Sequence, residues 1–161
     1  MAEYDNLDEF INDTPPKSKD PLEELCAKYN NTRGTISNEI RESIDLMRTG
    51  MHGLKEVQVK MLSMRQRLLE DSHILIENLS SVKKAYRNAR SSMMEELSTS
   101  IQHRYQYNEK TVIIDGKTAN VKEMVDTIEN QITFFVDSIK TVDNVLFGIK
   151  TRVEIEKTLG M

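Results

Sequence analysis

Little in this sequence would cross-link, bend or interrupt a helix. It has one cysteine, Cys26, among 161 residues, so no disulfide can form within the chain and we expect a reducing, cytoplasmic environment. Tryptophan is absent, prolines number three and glycines six, while 30% of the residues are charged, which is typical of long exposed helices. No apolar run reaches the ~18 residues that a membrane span needs, and the acidic start is unlike a signal peptide. The composition predicts a soluble, mainly α-helical protein without a membrane partner.

The residue patterns of common active sites are also missing. His52, His73 and His103 are far apart in sequence and lack the i, i+4 spacing of a helical metal site. Neither a glycine-rich phosphate loop nor a Gly-x-Ser-x-Gly nucleophile motif occurs. We therefore expect no enzyme activity, no catalytic residue, no bound metal and no cofactor.

Residues 1–19 are predicted to form a disordered acidic tail, because five acidic residues precede Pro15-Pro16 and no apolar period is sustained. The simplest interpretation is that this tail keeps the protein in solution. The alternative is a short helical peptide that docks on a partner. Its apolar side chains would be Tyr4, Leu7, Phe10 and Ile11.

Residues 20–50 are predicted to form short N-terminal helices. Asp20 can cap a helix that has Pro21 in its first turn. The expected elements are a helix to about Tyr29, a stop at Asn30-Asn31, a second helix from about Thr35 to Arg48, and an interruption at Gly50 and Gly53.

Residues 51–161 are predicted to form a long antiparallel helical hairpin. No glycine or proline occurs from Leu54 to Asp115, and apolar residues alternate there at spacings of three and four, which indicates a first helix of about 45–50 residues. The β-prone run Thr111–Ile114 and the turn pair Asp115-Gly116 then predict a small β-hairpin at the tip. The apolar seam of the first helix comprises Leu54, Val57, Met61, Met64, Leu68, Leu75, Leu79, Val82, Tyr86, Ala89, Met93 and Leu97.

The second long helix, predicted from Val121 to Leu159 after a cap at Asn120, has the most regular period in the chain. Its seam repeats at spacings of four and three, and further apolar residues widen the face beyond what one partner helix would cover. We expect this C-terminal helix to join protomers into a homo-oligomer. The alternative is that residues 20–48 fold back and complete a monomeric four-helix bundle. The expected contact residues are Ile132, Phe135, Ile139, Val142, Leu146, Phe147, Ile149, Lys150 and Val153.

Positive charge is concentrated in the middle of the chain. Residues 48–110 have a net charge of +4, against −6 for residues 1–47 and −2 for residues 111–161. Basic side chains interleaved with tyrosines suit single-stranded DNA, because cations contact phosphates and rings stack on bases. The alternative is a solvated helix face, with the tyrosines covering the tip. The predicted DNA-binding residues are Lys83, Lys84, Arg87, Arg90, His103, Arg104, Tyr105, Tyr107 and Lys110.

Two short motifs resemble those of a known family. Arg104-Tyr105-Gln106-Tyr107, which follows a basic helix, is similar to the basic and tyrosine-rich stretch of tailed-phage recombination mediator proteins of the UvsY type. The segment Phe147-Gly148-Ile149-Lys150 resembles that family's Phe-x-Ile-Lys signature. The resemblance extends over about residues 80–160, and the acidic N-terminal third departs from it.

The resemblance implies a homo-oligomeric helical protein that binds single-stranded DNA. Such mediators help to load the phage strand-exchange recombinase onto DNA covered by single-strand-binding protein. Arg104 and its neighbours His103, Tyr105 and Tyr107 would contact DNA, and the Phe147–Lys150 signature would lie in the assembly helix. Two other functions fit the same residues. One is a structural or adaptor ring component of a phage particle or packaging machine, similar to a small terminase, and the other is a coiled-coil chaperone.

Overall fold

The computed structural model describes residues 20–100 and 104–160, and these form three long helices. Helix α1 spans Pro21–Leu46, a short 3₁₀ helix spans Met47–Thr49, α2 spans Met51–Thr99 and α3 spans Tyr107–Thr158. No strand occurs within the described ranges, and the all-α prediction is confirmed. The predicted acidic tail and His103 lie outside the described residues.

Helix α1 is continuous, so the predicted stop at Asn30-Asn31 is wrong. Asp20 caps its start as predicted, because its Oδ1 accepts a hydrogen bond from the backbone N–H of Leu22 at 3.1 Å. The helix continues because one face stays buried on both sides of the asparagines, at Tyr29, Ile36, Ile40 and Ser43. Gly34 within this helix costs about 1 kcal/mol relative to alanine, and the burial of that face offsets the loss.

The sequence predicted an interruption at Gly50 and Gly53; the corner between α1 and α2 lies at Gly50, as predicted, whereas Gly53 is inside the first turn of α2. Gly50 has a φ of +95°, a left-handed conformation that side chains rarely adopt. Gly53 packs so closely against the end of α1 that a Cβ would overlap the carbonyl oxygen of Leu46 and the hydroxyl of Thr49. The corner therefore requires a glycine at both positions, for different reasons.

Helix α2 agrees with its prediction. It has 49 residues and is about 74 Å long at a rise of 1.5 Å per residue. The predicted seam faces the other helices: its residues up to Leu68 are buried and those from Leu75 onwards are half-buried. Between Leu68 and Leu75 the seam contains a polar residue, Ser72, which is buried.

Helix α3 begins at Tyr107, and the predicted β-hairpin over residues 111–119 and the predicted cap at Asn120 are both wrong. A capping box starts the helix, in which Glu109 Oε2 accepts a hydrogen bond from the backbone N–H of Gln106 at 2.8 Å. Ile114 and Thr118 are buried one helical turn apart. The strand preference of this stretch is overridden because an isolated hairpin has no sheet to join, whereas a helix places both residues in the packed interface.

Helices α2 and α3 pack antiparallel, which confirms the predicted long helix pair. Arg65 Nε lies 2.7 Å from Asp143 Oδ1 in the middle of the pair, and Lys110 Nζ donates to Ser98 Oγ at 3.1 Å near the turn. Residues 100–106 connect the two helices.

Helix α1 folds back against the start of α2 and the end of α3. Arg67 Nη2 lies 2.8 Å from Glu39 Oε2, and Arg33 Nε donates to Gln131 Oε1 at 2.7 Å. Arg152 Nη1 donates to the Met47 carbonyl at 2.8 Å. Because residues 21–46 form one helix, the result is a three-helix arrangement and not the four-helix bundle that the alternative predicted.

The chain is therefore divided along its length. Leu25 of α1 lines a cleft with Asn78 of α2, and Cys26 lines another with Thr127 of α3. The start of α1 is about one helical turn before these residues, so it lies beside about residue 82 of α2 and residue 123 of α3. We call residues 20–82 and 123–160 the three-helix section, and residues 83–122 the two-helix arm. The main apolar core lies in the three-helix section. Among the described residues of the arm, only Ile114 and Thr118 are buried.

Candidate nucleic-acid interface

Charge is segregated between the two parts of the molecule. The described residues of the two-helix arm include eight Lys/Arg and four Asp/Glu, a net charge of +4. Those of the three-helix section include twelve Lys/Arg and seventeen Asp/Glu, a net charge of −5. Most acidic residues of α3 lie in the three-helix section and not in the arm. Among the described parts of the chain, the arm is the one with a surplus of positive charge, which favours an anionic partner.

Two of the predicted DNA-binding cations are occupied by contacts between α2 and α3. Lys83 Nζ forms an ion pair with Glu129 Oε1, and Arg90 Nη1 forms one with Asp115 Oδ1. Both basic side chains are half-buried. In this fold both side chains link α2 to α3, Arg90 within the arm and Lys83 at its base.

Arg90 is held by more than one group. Its guanidinium carbon lies 5.5 Å from the centroid of the Tyr86 ring, and Nη1 donates to Tyr86 Oη at 3.1 Å and to Thr118 Oγ1 at 3.4 Å. The hydrogen bond to Asp115 is the main cause that raises the pKa of Arg90. The side chain is therefore a fixed cation within the helix pair.

Other predicted cations of the arm remain exposed. Lys84, Arg87 and Arg104 are exposed, although Arg87 Nε also donates to the backbone carbonyl of Lys83 at 3.3 Å. Lys110 is half-buried beside Ser98. Lys84 and Arg87 lie near the base of the arm, about 24 Å and 20 Å along the helix from Ser100, whereas Arg104 lies near its other end.

Two exposed lysines of α3, Lys117 and Lys122, also lie on the arm and are absent from the predicted set. Lys122 lines a cleft of about 440 Å³ together with Tyr86 and Asp115. The expected β-hairpin would place Lys117 at a turn, apart from the helix that carries Lys122. The sequence carries only a partial signal for the earlier start, Glu109 at the third helical position, because Gln106 is not one of the usual N-cap residues.

The tyrosines lie at the turn end of the arm. Tyr107 is 73% exposed, whereas Tyr105 is half-buried. Tyr105 lines a pocket of about 440 Å³ with Val112 and Ile113. An exposed phenol ring beside Arg104 is a suitable platform for a stacked base.

The residues predicted to join protomers fall into two groups. Phe135, Val142 and Ile149 are buried in the core of the single chain, and four others are half-buried: Ile132, Ile139, Leu146 and Val153. Phe147 is 71% exposed and Lys150 is exposed. Much of the predicted contact set is therefore used within the chain, and Phe147 is the large apolar side chain left at the surface.

A separate cleft of about 350 Å³ lies where the three helices meet at the start of α1. Gln131 lines it and is fully buried; its Oε1 accepts the hydrogen bond from Arg33, which fixes the orientation of the amide. Its Nε2 has no hydrogen-bond partner among the described residues, a situation that typically costs about 1–3 kcal/mol. Tyr29 lines the same cleft, and burial raises the pKa of its phenol.

Within residues 20–100 and 104–160, no helix contains a stretch that is long and apolar enough to cross a membrane. Nowhere in these ranges do three His, Cys, Asp or Glu side chains gather closely enough to hold a metal ion. Comparisons of the chain with protein-family models, with curated proteins and with solved structures found no match.

Proposed function

We propose that this protein binds single-stranded DNA along its two-helix arm and acts as a recombination mediator. In this role it helps to load a phage strand-exchange recombinase onto DNA covered by single-strand-binding protein, and it works as a homo-oligomer. The observation that carries the proposal is the charge segregation, with +4 on the arm and −5 on the three-helix section. The resemblance of residues 104–107 and 147–150 to UvsY-type mediators supplies the specific role.

The DNA contact is proposed to run along the arm from its base to its turn. Lys84, Arg87 and Arg104 would contact phosphates, with Lys117 and Lys122 on the neighbouring helix. Tyr107 would stack on an unpaired base at the turn. Lys83 and Arg90 would hold α2 against α3 through their ion pairs. They would act on the DNA mainly through the electric field of the arm and less through direct contacts.

The salt dependence of DNA binding tests this proposal. Removing one cation that neutralises a phosphate should lower the slope of log affinity against log salt concentration by ~0.7 for single strands. We expect Arg87→Ala and Arg104→Ala each to lower that slope, measured with a fluorescent oligo-dT strand between low and moderate salt. Lys55→Ala is the matched control, because Lys55 is an exposed cation on α2 in the three-helix section. Unchanged slopes in both arm variants would remove the arm as the DNA site.

Self-association is proposed to use the flank of α2 and α3 that faces away from α1. Arg65 and Asp143 mark this flank, because Arg67, which contacts α1, points about 200° around the helix from Arg65. One helical turn from the ion pair, toward the start of α2 and the end of α3, lie Leu62 on α2 and Phe147 on α3, and both are exposed. Leu69 and Val136 continue the flank in the other direction. We call these four apolar residues the outer flank, and a second copy that covered them would remove them from water.

A second function, as a helical adaptor in a phage particle or packaging machine or as a coiled-coil chaperone, is favoured by one observation. Lys83 and Arg90 are neutralised by Glu129 and Asp115, as expected if the arm only had to hold its own helices together. Competition between single-stranded and duplex DNA separates the possibilities. A mediator should prefer the single strand, a packaging adaptor should prefer duplex DNA or protein, and a chaperone should show no salt-dependent retention of either.

A further inference from the structure

Helices α1 and α2 share one apolar frame although a corner separates them. Spacings of seven, four and three residues separate the buried residues of α1, which are Tyr29, Ile36, Ile40 and Ser43. Beyond Ser43 the same alternation of four and three passes through Met47 and Gly50 to Leu54. It then continues along the buried residues of α2, which include Leu54, Val57, Met61, Met64 and Leu68. If the corner were helical, one stripe would therefore run unbroken from α1 into α2.

The corner depends on the conformation of one residue. Gly50 is the only residue between Pro21 and Thr99 that lies outside a helix, with a φ of +95° and a ψ of −164°, a region open essentially to glycine alone. Helix α2 begins there without a side-chain cap, and at the end of α1 the hydroxyl of Thr49 donates to the Leu46 carbonyl at 2.8 Å. A helical Gly50 would join the two helices and give their end groups ordinary backbone partners.

Helix α1 runs antiparallel to α2, and the ion pairs between them are centred on the corner. Arg67 Nη2 lies 2.8 Å from Glu39 Oε2, and Lys60 Nζ lies 3.8 Å from Glu42 Oε2. The residues of the first pair are each 14 positions from residue 53, and those of the second are each nine positions from residue 51. Two copies with continuous helices, related by a twofold axis at this point, would therefore form the same pairs with each other.

We propose that α1 exchanges between two copies of this chain when the corner opens at Gly50. In the exchanged dimer, α1 and α2 of each copy form one helix over residues 21–99, about 118 Å long, and α1 covers the α2–α3 pair of the other copy. The contacts of α1 with α3, such as that of Arg33 with Gln131, then form between copies. This interface is separate from the outer flank, and the inference rests neither on DNA binding nor on the proposed function.

Helix α1 is held less firmly than α2 and α3 hold each other. Three of its apolar side chains are buried, whereas the α2–α3 pair continues well beyond its end. Its contact with α3 includes the fully buried Gln131, whose Nε2 has no hydrogen-bond partner among the described residues, and an unpaired buried donor weakens the docked state. Because exchange keeps the contacts of α1 and changes only the corner, the corner and the protein concentration together set the balance between closed and exchanged forms.

Mixing two charge variants tests the exchange. Glu39→Lys and Arg67→Glu each bring like charges together when α1 folds onto its own chain. In a mixed exchanged dimer both sites hold opposite charges, because each α1 lies on the other copy. We expect the two variants, mixed in urea and refolded together, to form the heterodimer in excess of the statistical proportion. Native mass spectrometry with one isotope-labelled chain measures it.

The control for this mixture is the chain that carries both substitutions, which restores an opposite-charge pair within one chain. Mixed with the unmodified protein, it should form less heterodimer than the statistical proportion, because both exchanged sites would then hold like charges. All chains carry Phe147→Asp, so that the outer flank adds nothing to the mass.

Gly50→Ala tests the hinge. Alanine is strained in the closed corner and is favoured over glycine in a continuous helix. We expect the dissociation constant of the dimer to fall by about tenfold or more, as measured by sedimentation equilibrium. Small-angle X-ray scattering should show a particle roughly twice as long as the closed molecule. Gly34→Ala is the matched control, because Gly34 is helical in both forms and a Cβ there meets nothing within 4 Å.

Two results would overturn the inference. One is a mixture of the charge variants without an excess of heterodimer, since a contact through any other surface leaves residues 39 and 67 paired within each chain. The other is a Gly50→Ala chain that keeps its helices by far-UV circular dichroism and its closed length, with an unchanged dissociation constant. The charge-variant mixture decides the question alone if Gly50→Ala loses its helices.

Discussion

Single residues of this fold have two kinds of role: they permit close packing or they hold partners in place. Gly53 belongs to the first kind, because it touches the backbone of Leu46 across the α1–α2 corner. Arg33 belongs to the second, because it donates to Gln131 at 2.7 Å while its guanidinium carbon lies 5.6 Å from the centroid of the Phe134 ring. Neither role follows from the residue type alone.

Two glycine substitutions should have opposite effects on the free energy of unfolding. Gly53→Ala should destabilise the protein by ~1–3 kcal/mol, because the added methyl group collides with a backbone carbonyl. Gly116→Ala should stabilise it by ~1 kcal/mol, because Gly116 lies inside α3 and a Cβ there meets nothing within 4 Å. Urea denaturation measures both values. If Gly116→Ala lost stability, the result would favour the turn at Asp115-Gly116 that the sequence suggests over a continuous helix.

Tyr29 should make the protein sensitive to alkaline pH. Burial raises the pKa of its phenol above the ordinary value of 10.0, so the folded state holds this proton more tightly than the unfolded state does. The stability that Tyr29 contributes is therefore complete below pH 10 and is lost as pH rises through its pKa in the folded state.

Thermal unfolding between pH 8 and pH 11 should consequently show a shallower alkaline decline in Tyr29→Phe than in the unmodified protein. Tyr107→Phe is the control, because Tyr107 is largely exposed and should leave the slope as it was. Equal slopes for all three proteins would show that Tyr29 does not carry the effect.

At the scale of elements, the arm should be the least stable part of the described chain. Its helices bury only Ile114 and Thr118 completely, whereas the three-helix section contains the main core. Contacts between helices therefore matter more in the arm, and the Arg90 cluster with Asp115, Thr118 and Tyr86 is the largest of them.

Arg90→Met should accelerate amide exchange in residues 83–99 and 107–122 and leave the three-helix section unchanged. Methionine keeps the apolar stem of arginine but loses the hydrogen bonds to α3. Asp115→Asn should have a similar, smaller effect, since an amide oxygen can still accept a hydrogen bond. Arg87→Met is the control on the same helix, because the Arg87 side chain donates its hydrogen bond to a carbonyl of its own helix. Faster exchange throughout the molecule would indicate that the arm does not unfold as a separate unit.

The sequence predicted the elements whose apolar period was long, and failed where local preference conflicted with packing. The seam of α2 and that of α3 from Val125 onwards are period-based predictions that the burial confirms. Asn30-Asn31 and Asp115-Gly116 look locally like breaks, but each lies next to residues that are buried only if the helix continues. Whether the helix continues through these positions depends on packing against the partner helices, and the residue pattern of one segment does not show that packing.

The candidate interface was predictable in composition but not in detail. The predicted basic residues and tyrosines that the structure describes all lie on the arm. The pairing of Lys83 with Glu129 and of Arg90 with Asp115 could not be foreseen, because each pair joins residues far apart in the chain whose registry depends on where α3 begins.

At the scale of the whole molecule, Phe147 provides the test of self-association. Phe147→Asp should lower the native mass without unfolding the chain, because this side chain is exposed and contributes little to the internal core. Light scattering or native mass spectrometry gives the mass. Ile44→Asp is the control, since Ile44 is also exposed but lies on α1, away from the outer flank. An unchanged mass for Phe147→Asp would exclude the outer flank as the contact. Phe135→Asp is unsuitable for this purpose, because it would disrupt the core of each chain.

Helix α3 is unbroken from the tip of the arm to the end of the three-helix section. Positions along it can therefore be used to measure how far a bound strand lies from each part of the molecule. A fluorophore at Lys122 would be about 23 Å from the start of this helix, and one at Thr158 about 77 Å from it. If a donor-labelled strand lies along the arm, energy transfer should be strong to the first acceptor and weak to the second.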